Sequence, residues 1–481
     1  MLTSNFNNSK TLREEYGRTV IVPRFYKHPF KKKKFTMKEL SKHNTKDDAW
    51  VCIERKIYNL SKYLEYHPGG TLPILNLAGK DATDVFTNFH PAIAYEKLPS
   101  YYMGDLTPQP TVSNFVQEHR QLRQTLLQNG LFETSQTFYI GYGLWLATLF
   151  FSALYCTIFC NTFNDHMTGA MLLGLFWQQL AFLGHDIGHN AISHNRQLDL
   201  KYGIAIGNTL GGISLGWWKY SHNAHHIVCN SIENDPDNQH LPVFAPDKEY
   251  FGRFFSSFHQ KYFSFDLLSK TLVSYQHLVF YPIMMFARFN LYIQSILFLI
   301  SKEKINHKTL EMTTLCVFYF WYSCILTCCM GSWQERVFYI ALSHAIAGVL
   351  HVQVILSHFA EEVYHGKPYN DENDEWFRLQ LKTTLNIKCP AYLDWIHGGL
   401  QFQIEHHLFP RVPRHNLRTV QKLVKTFCKK HHIEYNELNF YKANVRLIQK
   451  LYNTAINAQK STRNDCGFYE SQIYGGLNLI G

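Results

Sequence analysis

Four long apolar runs constrain the fold of this 481-residue chain more than any other feature. Each run is close to the length that a helix needs to cross the apolar interior of a bilayer, about 20 residues. A fifth apolar stretch, residues 276–300, carries Pro282, Arg288, Asn290 and Gln294, and we interpret it as lying in the membrane interface rather than crossing. The predicted spans are residues 137–160, 167–184, 312–330 and 337–357.

The spans form two pairs, so that the segments before, between and after the pairs lie on one side of the membrane. The loops inside the pairs, NTFNDH and GSWQER, contain little Lys or Arg, whereas the other segments contain much. The positive-inside rule therefore places both termini in the cytosol. The formal charge is +10, but the basic residues lie beside apolar segments and form no nucleic-acid motif. Membrane lipids, not nucleic acids, are the expected partners.

Composition divides the rest of the chain. Residues 1–34 are polar, end in four lysines, and are expected to be a disordered basic arm. Residues 35–107 alternate short β-like runs with polar helical stretches, which indicates a small soluble domain. Residues 108–135 predict a helix-prone linker. The tail 458–481 is rich in Gly, Asn and Ser and is expected to be disordered, which leaves residues 136–457 as the membrane domain.

Histidines cluster in three short segments, HDIGH, HNAHH and QIEHH. A spacing of four residues places two imidazoles on one helix face, whereas adjacent residues diverge by about 100°. The adjacent histidines of the last two segments can therefore serve two different ions. Eight imidazoles also exceed the roughly six ligands of one octahedral ion. The candidate ligands are His185, His189, His222, His225, His226, His358, His406 and His407, with Gln403 as a weaker oxygen ligand or a residue that holds a water.

The metal cannot be assigned from these residue types alone, because imidazole-rich sites suit zinc, copper, iron or nickel. A second pattern makes redox chemistry the favoured interpretation. His67 opens the segment HPGG, a turn that can hold an imidazole rigidly over a flat cofactor, and His90 follows 23 residues later in FTNFHP. Two histidines on a haem iron leave no open coordination position, so such a centre carries electrons.

Residues 35–107 resemble a cytochrome b5 domain through HPGG, FTNFHP and the flanking AWV, YNL and YYMGDL segments. Residues 137–450 resemble the membrane fatty-acid desaturases, whose three histidine boxes match HDIGH, HNAHH and QIEHH. An N-terminal cytochrome b5-like domain and a glutamine leading the third box are typical of front-end desaturases. The segments WWKYSHNAHHIVCNS, VSYQHLVFYPIMMFAR and GGLQFQIEHHLFPRVPRHNLR resemble plant-type Δ6 acyl-lipid and Δ8 sphingolipid members.

The resemblance implies a mainly α fold: an integral membrane four-helix desaturase fold with a cytosolic di-iron cap, plus a small α+β cytochrome b5-like domain. It implies that His67 and His90 hold haem b, and that the box residues hold two non-haem iron ions. His358 is carried over as a further ligand on the fourth span. Residue 354, one turn earlier, is Val rather than an amide, so the ligands of the second ion depart from the family pattern there.

The same resemblance implies O₂ as co-substrate and NADH as electron source, through a separate cytochrome b5 reductase. It also implies a multi-pass protein of the endoplasmic reticulum membrane with a cytosolic active site. The expected activity is insertion of a cis or trans double bond into a long acyl chain. Unactivated C–H bonds offer no acidic proton, so this reaction needs a metal–oxygen oxidant rather than acid/base residues.

The sequence leaves alternative functions open: the substrate of a desaturase, a hydroxylase, and a protein that is not an enzyme. The segments QFQIEHH and 274–288 favour Δ6-type desaturation of acyl lipids over Δ8 desaturation of sphingolipid long-chain bases. A hydroxylase of sphingolipid acyl chains would use similar metals. A membrane-bound haem carrier with structural zinc in the histidine clusters is the non-enzymatic alternative.

Some residues beside the clusters have two interpretations. Asp186, Asp235 and Glu405 could orient imidazole N–H groups or be solvated charges. Trp217 and Trp218, just before the second box, are interpreted as membrane-interface anchors in preference to substrate contacts.

Other histidines lie outside the three clusters. His344 and His351 are expected to be core residues on apolar helix faces. His397, six residues before Gln403, is left undecided, and His194 and His240 lie near the boxes but outside their pattern.

Overall fold

The computed structural model describes residues 10–15, 18–23, 33–108, 112–301, 303–369 and 375–461. The protein consists of a small α+β domain at the N-terminus and a larger helical domain.

Two strands of the N-terminal segment form an antiparallel hairpin, β1 (Lys10–Glu15) and β2 (Arg18–Pro23). The expectation of a disordered arm is therefore wrong for these strands, and also for residues 33–34, which open a third strand. The sequence of β2, RTVIVP, contains four consecutive β-branched residues, which favour an extended strand. The high charge of the arm concealed this signal. Residues 1–9, 16–17 and 24–32 lie outside the described part of the chain.

The small domain is built on a four-stranded sheet. Its elements are β3 (Lys33–Phe35), α1 (Met37–Leu40), β4 (Trp50–Ile53), β5 (Lys56–Asn59), α2 (Leu72–Leu77), α3 (Thr83–Phe89) and β6 (Tyr102–Leu106), with 3₁₀ helices at Ser61–Tyr66 and Ala92–Tyr101. The strand order is β3–β6–β5–β4, with β3 parallel to β6 and the other pairs antiparallel. The sheet and its covering helices leave His67 and His90 at the ends of two helical segments.

Within the described residues the larger domain is helical apart from two short two-stranded pairings, Arg253–Ser256 with Lys261–Ser264 and Asn386–Lys388 with Glu437–Asn439. Its elements in chain order are α4 (Asn114–Gln128), α5 (Gln136–Ile158), α6 (Phe163–Gly188), α7 (Arg196–Gly203), α8 (Thr209–Gly211), α9 (Leu215–Val228), β7 (Arg253–Ser256), β8 (Lys261–Ser264), α10 (Leu267–Val273), α11 (Gln276–Phe286), α12 (Arg288–Ile300), α13 (Lys308–Cys328), α14 (Trp333–Ala347), α15 (Val349–Leu356), α16 (Trp376–Thr383), β9 (Asn386–Lys388), α17 (Asp394–His397), α18 (Gln403–Leu408), α19 (Leu417–Lys430), β10 (Glu437–Asn439) and α20 (Phe440–Lys460).

Four helical segments are long and apolar enough to cross a membrane: α5, α6, α13 and Trp333–Phe359, which comprises α14 and α15. They coincide with the four runs predicted from sequence. α6 packs against both α5 and α14. Trp177, Phe318 and Tyr339 are among the fully buried side chains between the spans. The second span continues to Gly188, so it carries His185 at its end.

The fifth apolar stretch forms α11 and α12, which are bent by 65° relative to each other. Arg288, at the bend, is buried; its Nε donates to the Tyr292 hydroxyl at 2.8 Å, and its Nη2 donates to the Gly211 carbonyl. The guanidinium lies 4.7 Å from the Trp177 ring centre. Hydrogen bonds and the aromatic face thus offset the cost of burying this charge. The interfacial placement of residues 276–300 stays a prediction.

One apolar core joins the two domains. It includes Leu64 and Leu77 of the small domain, Phe115 of α4, Ile227 of α9 and Leu408 of α18. The segment between the domains is therefore packed through α4 rather than free. At the other end of the chain α20 continues to Lys460, so the tail expected from residue 458 begins inside a helix.

Candidate metal and haem sites

Five imidazoles from three helices converge at the end of α6. His185 belongs to its last turn and His189 caps its end, while His222 comes from α9 and His406 from α18. The ligand atoms of these four lie within 4.8 Å of one another. The Nε2 atom of His226 lies 3.0 Å from His222 Nε2 and 3.1 Å from His406 Nε2. We call these five histidines the first group.

The second group consists of His225, His358, His407 and Cys229, all buried, with ligand atoms within 4.8 Å of one another. His225 comes from α9 and His407 from α18, so each adjacent pair of histidines gives one imidazole to each group. This is the division that the helical geometry of HNAHH and QIEHH predicts. His358 joins the group from the end of the fourth span, and its ring centre lies 4.9 Å from that of His407.

Hydrogen bonds to the Nδ1 atoms orient two imidazoles of the second group. His225 Nδ1 donates to Asp235 at 3.0 Å, and His407 Nδ1 donates to Gln380 Oε1 at 2.9 Å. Such contacts fix the tautomer and leave Nε2 free to bind a metal. Burial alone would lower the pKa of His225, but the carboxylates of Asp235 and Asp237 raise it to about 9.

Unpaired nitrogen atoms show that the two groups suit a metal. His189 Nε2 and His407 Nε2 are buried, and neither has a hydrogen-bond partner among the residues that the structure describes. A buried polar atom without a partner is costly unless it binds something else. Imidazole nitrogens that converge in this way are ligands for zinc, copper, nickel or iron, so the residues fit two metal ions.

Gln403 is buried at the start of α18, one turn before His407. Within the described ranges no hydrogen bond joins its side chain to either group, and its role as a ligand stays a prediction. Glu405 faces away from the imidazoles: its carboxylate accepts from the Tyr435 hydroxyl at 2.6 Å and from Asn386 Nδ2 at 2.7 Å.

Asp186 lies beside the first group, on α6 next to His185. Its Oδ2 accepts from the Tyr139 hydroxyl at 2.7 Å and pairs with Arg414 Nε at 3.2 Å, while its Oδ1 lies 4.0 Å from His185 Nδ1. Of the three acidic residues near the boxes, Asp235 therefore contacts an imidazole most directly.

Trp218 packs against the first group. Its ring stacks on His222 with centres 4.4 Å apart, and lies 5.4 Å from His185 and 5.6 Å from His189. A side chain at Gly188 would collide with this ring. The interpretation of Trp218 as a membrane-interface anchor is therefore wrong, because α9 turns it toward α6; that of Trp217 stays a prediction.

The remaining histidines lie outside both groups. His344 is buried among the spans and stacks on Phe289 with ring centres 4.3 Å apart, as expected for a core residue. His397 Nδ1 lies 3.3 Å from Gln353 Nε2. The others that sequence singled out contact neighbouring polar groups or lie apart from the two groups: His194, His240 and His351.

His67 and His90 face each other in the small domain, with ring centres 5.9 Å apart. Their Nδ1 atoms donate to the carbonyls of Gly70 at 2.7 Å and Phe86 at 3.0 Å, which leaves both Nε2 atoms for a ligand. With metal–nitrogen bonds of about 2.1 Å, two imidazoles on opposite sides of one ion have ring centres roughly 6 Å apart. Burial lowers the pKa of His67 to about 4 and that of His90 to about 3, so both are neutral.

The two glycines of HPGG are required by this geometry. Gly70 has a φ of +91°, which side chains rarely adopt. A Cβ atom at Gly69 would lie 2.9 Å from Cε1 of the His67 ring. The residues thus fit a flat cofactor held between two axial imidazoles.

Three neighbours of the metal groups were missed from sequence: Cys229, Asp237 and Gln380. Cys229 lies four residues after His225, a spacing that could have revealed it; its Sγ is 3.4 Å from His358 Nδ1. Gln380 carries no local signal, because tertiary folding alone brings it to His407.

The fold and the sites together define a membrane metalloprotein with a fused haem-binding domain. Two family models match the chain: "Fatty acid desaturase" over residues 165–439 and "Cytochrome b5-like Heme/Steroid binding domain" over residues 36–107. The chain belongs to the fatty acid desaturase family and carries a cytochrome b5-like domain at its N-terminus. The family implies iron in the histidine groups, and the small domain implies haem.

Similar proteins occur in plants and fungi. The chain is 42% identical over 415 residues to a "Delta(8)-fatty-acid desaturase" of Helianthus annuus, covering 86% of this chain and 90% of that protein. It is 40% identical over 413 residues to an "Acyl-lipid (9-3)-desaturase" of Borago officinalis, covering 86% and 91%. A "Delta 8-(E)-sphingolipid desaturase" of Komagataella phaffii is 36% identical over 400 residues, covering 82% and 71%.

Among solved structures, the cytochrome b5 of Ostreococcus tauri virus 2 is 40% identical to the matched part of this chain. The match covers 15% of this chain and 94% of the viral protein, with a TM-score of 0.15.

Proposed function

We propose that the protein uses O₂ to insert a Δ8 double bond into the long-chain base of a sphingolipid. The observation that carries a desaturase is the pair of imidazole groups, one half-buried and one buried, on a membrane scaffold in contact with a haem-type domain. The position rests on plant and fungal relatives, which both carry Δ8 in their names, and the substrate class rests on the fungal relative, which is named a sphingolipid desaturase.

In this proposal the first and second groups hold two iron ions, and His67 and His90 hold haem b. Iron bound there supplies, with O₂, the oxidation of two neighbouring methylenes that no acid/base residue can perform. Asp235 and Gln380 hold their imidazoles in the metal-binding tautomer. The residues of the second group are all buried, so bulk water is excluded from their ligand atoms.

Electrons would come from NADH through a separate cytochrome b5 reductase to the haem. The charge distribution of the loops supports a multi-pass orientation with both termini and the active site in the cytosol. The endoplasmic reticulum membrane is the location that the family resemblance implies. Membrane lipids are both surroundings and substrate.

The second candidate is Δ6-type desaturation of acyl lipids, which the short segments of the sequence favour. It is supported by the acyl-lipid relative of Borago officinalis, at 40% identity against 42% for the Δ8 relative of Helianthus annuus. The relatives as a set favour Δ8, because the sphingolipid enzymes of fungi share that position.

Lipid analysis of yeast expressing the full chain separates the candidates. The cells are fed linoleic acid, and long-chain bases and fatty acids are profiled together, with His406→Ala as inactive control. We expect new Δ8 long-chain bases that are absent from the control. A new γ-linolenic acid peak with unchanged bases would establish the second candidate instead. Hydroxylated products without a new alkene would make the protein a hydroxylase.

A further inference from the structure

The small domain sits directly on the helix that carries the second histidine box. Asn223 Nδ2, on α9, donates to the Gly69 carbonyl at 3.3 Å. A Cβ atom at Gly70 would lie 3.1 Å from the Tyr220 ring of the same helix. The loop that follows His67 is therefore in van der Waals contact with α9.

Hydrogen bonds and an ion–aromatic contact surround this contact. Lys367 Nζ, in the large domain, donates to the Leu75 carbonyl at 2.7 Å, and Lys80 Nζ, in the small domain, donates to the Pro368 carbonyl. Lys304 Nζ lies 3.9 Å from the ring centre of Tyr66. Together with the shared apolar core, these contacts hold the domains in one orientation.

Phe89 links the haem site to the first group. It is covalently bonded to His90, and its ring centre lies 5.8 Å from that of His226 with the planes at 76°. It also meets Trp376 edge to face at 5.8 Å. One aromatic contact thus joins a residue bonded to a haem ligand with an imidazole of the first group.

Phe86 shows that this placement is specific. It too touches His90, with ring centres 4.3 Å apart, but its other aromatic neighbour is Tyr95, inside the small domain. Of these two phenylalanines beside His90, only Phe89 makes a ring contact across the domain boundary among the residues that the structure describes.

We propose that Phe89 is the electron-transfer contact between the haem and the first group, and that the face made by Gly69, Gly70, Leu75 and Phe89 holds the haem domain in its electron-donating position. Each passage moves one electron: a ferrous haem becomes ferric, and one ferric non-haem ion becomes ferrous. No bond forms or breaks and no proton is transferred. Close contact matters because electron tunnelling weakens steeply with each added gap between atoms.

The proposal rests on the haem and iron of the proposed function but not on the lipid substrate. Its test therefore follows the haem. Full-length protein loaded with haem and ferric iron is kept without oxygen, the haem is reduced by a light flash with a soluble photoreductant, and its reoxidation is followed by absorbance. The variants are Phe89→Leu, Phe89→Tyr and, as matched control in the same domain, Phe35→Leu, whose ring packs on Trp50.

We expect Phe89→Leu to slow reoxidation by an order of magnitude, and Phe89→Tyr and Phe35→Leu to leave the rate close to that of the wild type. The haem midpoint potential and the hydrogen-exchange protection of α9 are measured on each variant, so that a changed driving force or a lost domain contact is recognised. A Phe89→Leu rate equal to the wild type, or an equal loss in Phe35→Leu, would overturn the proposal.

A second variant tests the face itself. Lys80→Met combined with Lys367→Met removes the two lysine hydrogen bonds across the boundary and is expected to lower both the protection of α9 and the reoxidation rate. Unchanged protection and rate would overturn the docking part. If the lipid analysis shows no desaturated product, the haem measurements still test the electron-transfer contact, because they do not use the lipid. If the wild-type haem passes no electron to the iron, the proposed electron-transfer contact is overturned, even where lipid products form.

Discussion

His225 Nδ1 lies 3.0 Å from each carboxylate oxygen of Asp235, and both side chains are fully buried. The carboxylate is itself held by the backbone N–H groups of Asn230 at 2.7 Å and Asp237 at 2.9 Å. The loop after α9 thus fixes the acid, and the acid fixes the imidazole.

Asp235→Asn is expected to lower desaturation by about 10- to 100-fold, because the imidazole loses its charged partner. The measurement is product formation together with iron per haem. Asp266→Asn is the control, since Asp266 is equally buried but caps α10 through Ser269 N at 2.8 Å. Full activity in Asp235→Asn would mean that the carboxylate does not support the metal.

His358→Ala is expected to reduce bound iron from two ions toward one per haem, because the second group loses an imidazole at the end of the fourth span. Elemental analysis of purified protein measures this. His351→Ala, on the same helical segment but outside both groups, should retain two ions. Equal iron in both variants would remove His358 from the ligand set.

His90→Ala is expected to abolish the haem absorbance and desaturation while the non-haem iron stays bound, since the two sites use separate ligands. Absorbance and elemental analysis are read on the same sample. His43→Ala serves as control in the small domain, because His43 stacks on Trp50 at 3.6 Å, away from the haem ligands. Haem retained with an unchanged spectrum in His90→Ala would exclude it as axial ligand.

Acid should destabilise the protein partly through His119 of α4. Burial lowers the pKa of this imidazole from 6.5 to about 4, and its ring packs on Phe377 at 5.1 Å. Below pH 6.5 the imidazole is protonated in the unfolded chain but stays neutral in the folded chain, and this difference lowers the free energy of unfolding. The contribution of neutral His119 to stability is therefore present above pH 6.5 and is lost as the pH falls toward 4. At about pH 5 the loss is about 2 kcal/mol.

His119→Leu should therefore narrow the difference in unfolding free energy between about pH 7.5 and about pH 5 by about 2 kcal/mol. Leu126→Ala in the same core is the control; it should cost about 2–5 kcal/mol at both pH values, because it creates a cavity but titrates nothing. An unchanged pH difference in His119→Leu would contradict the assignment.

Local periodicity explains what could be predicted from sequence. The four spans follow from apolar length, and the division of His225 from His226 and His406 from His407 follows from the helical turn. The two facing imidazoles of the small domain follow from HPGG and the spacing to His90, together with the family resemblance.

The rest depends on tertiary contacts that leave no local pattern. Gln380 reaches His407 across a loop, and Phe89 meets His226 although they are far apart in the chain. The misreading of Trp218 has the same origin, because an aromatic residue near a membrane gives no sign of which side of its helix faces an imidazole. The hairpin of β1 and β2 was missed because charge outweighed its β-branched residues.

The apolar core shared by the small domain, α4, α9 and α18 restricts how this chain can evolve. A free-standing haem domain would leave this shared apolar face in water, so joining such a domain to this scaffold by gene fusion requires apolar residues that match on both partners. Once these substitutions are present, the haem domain and the membrane domain have to be inherited together. Recombination between relatives would then preserve whole chains, and chimaeras cut between the domains would expose mismatched apolar faces and be eliminated.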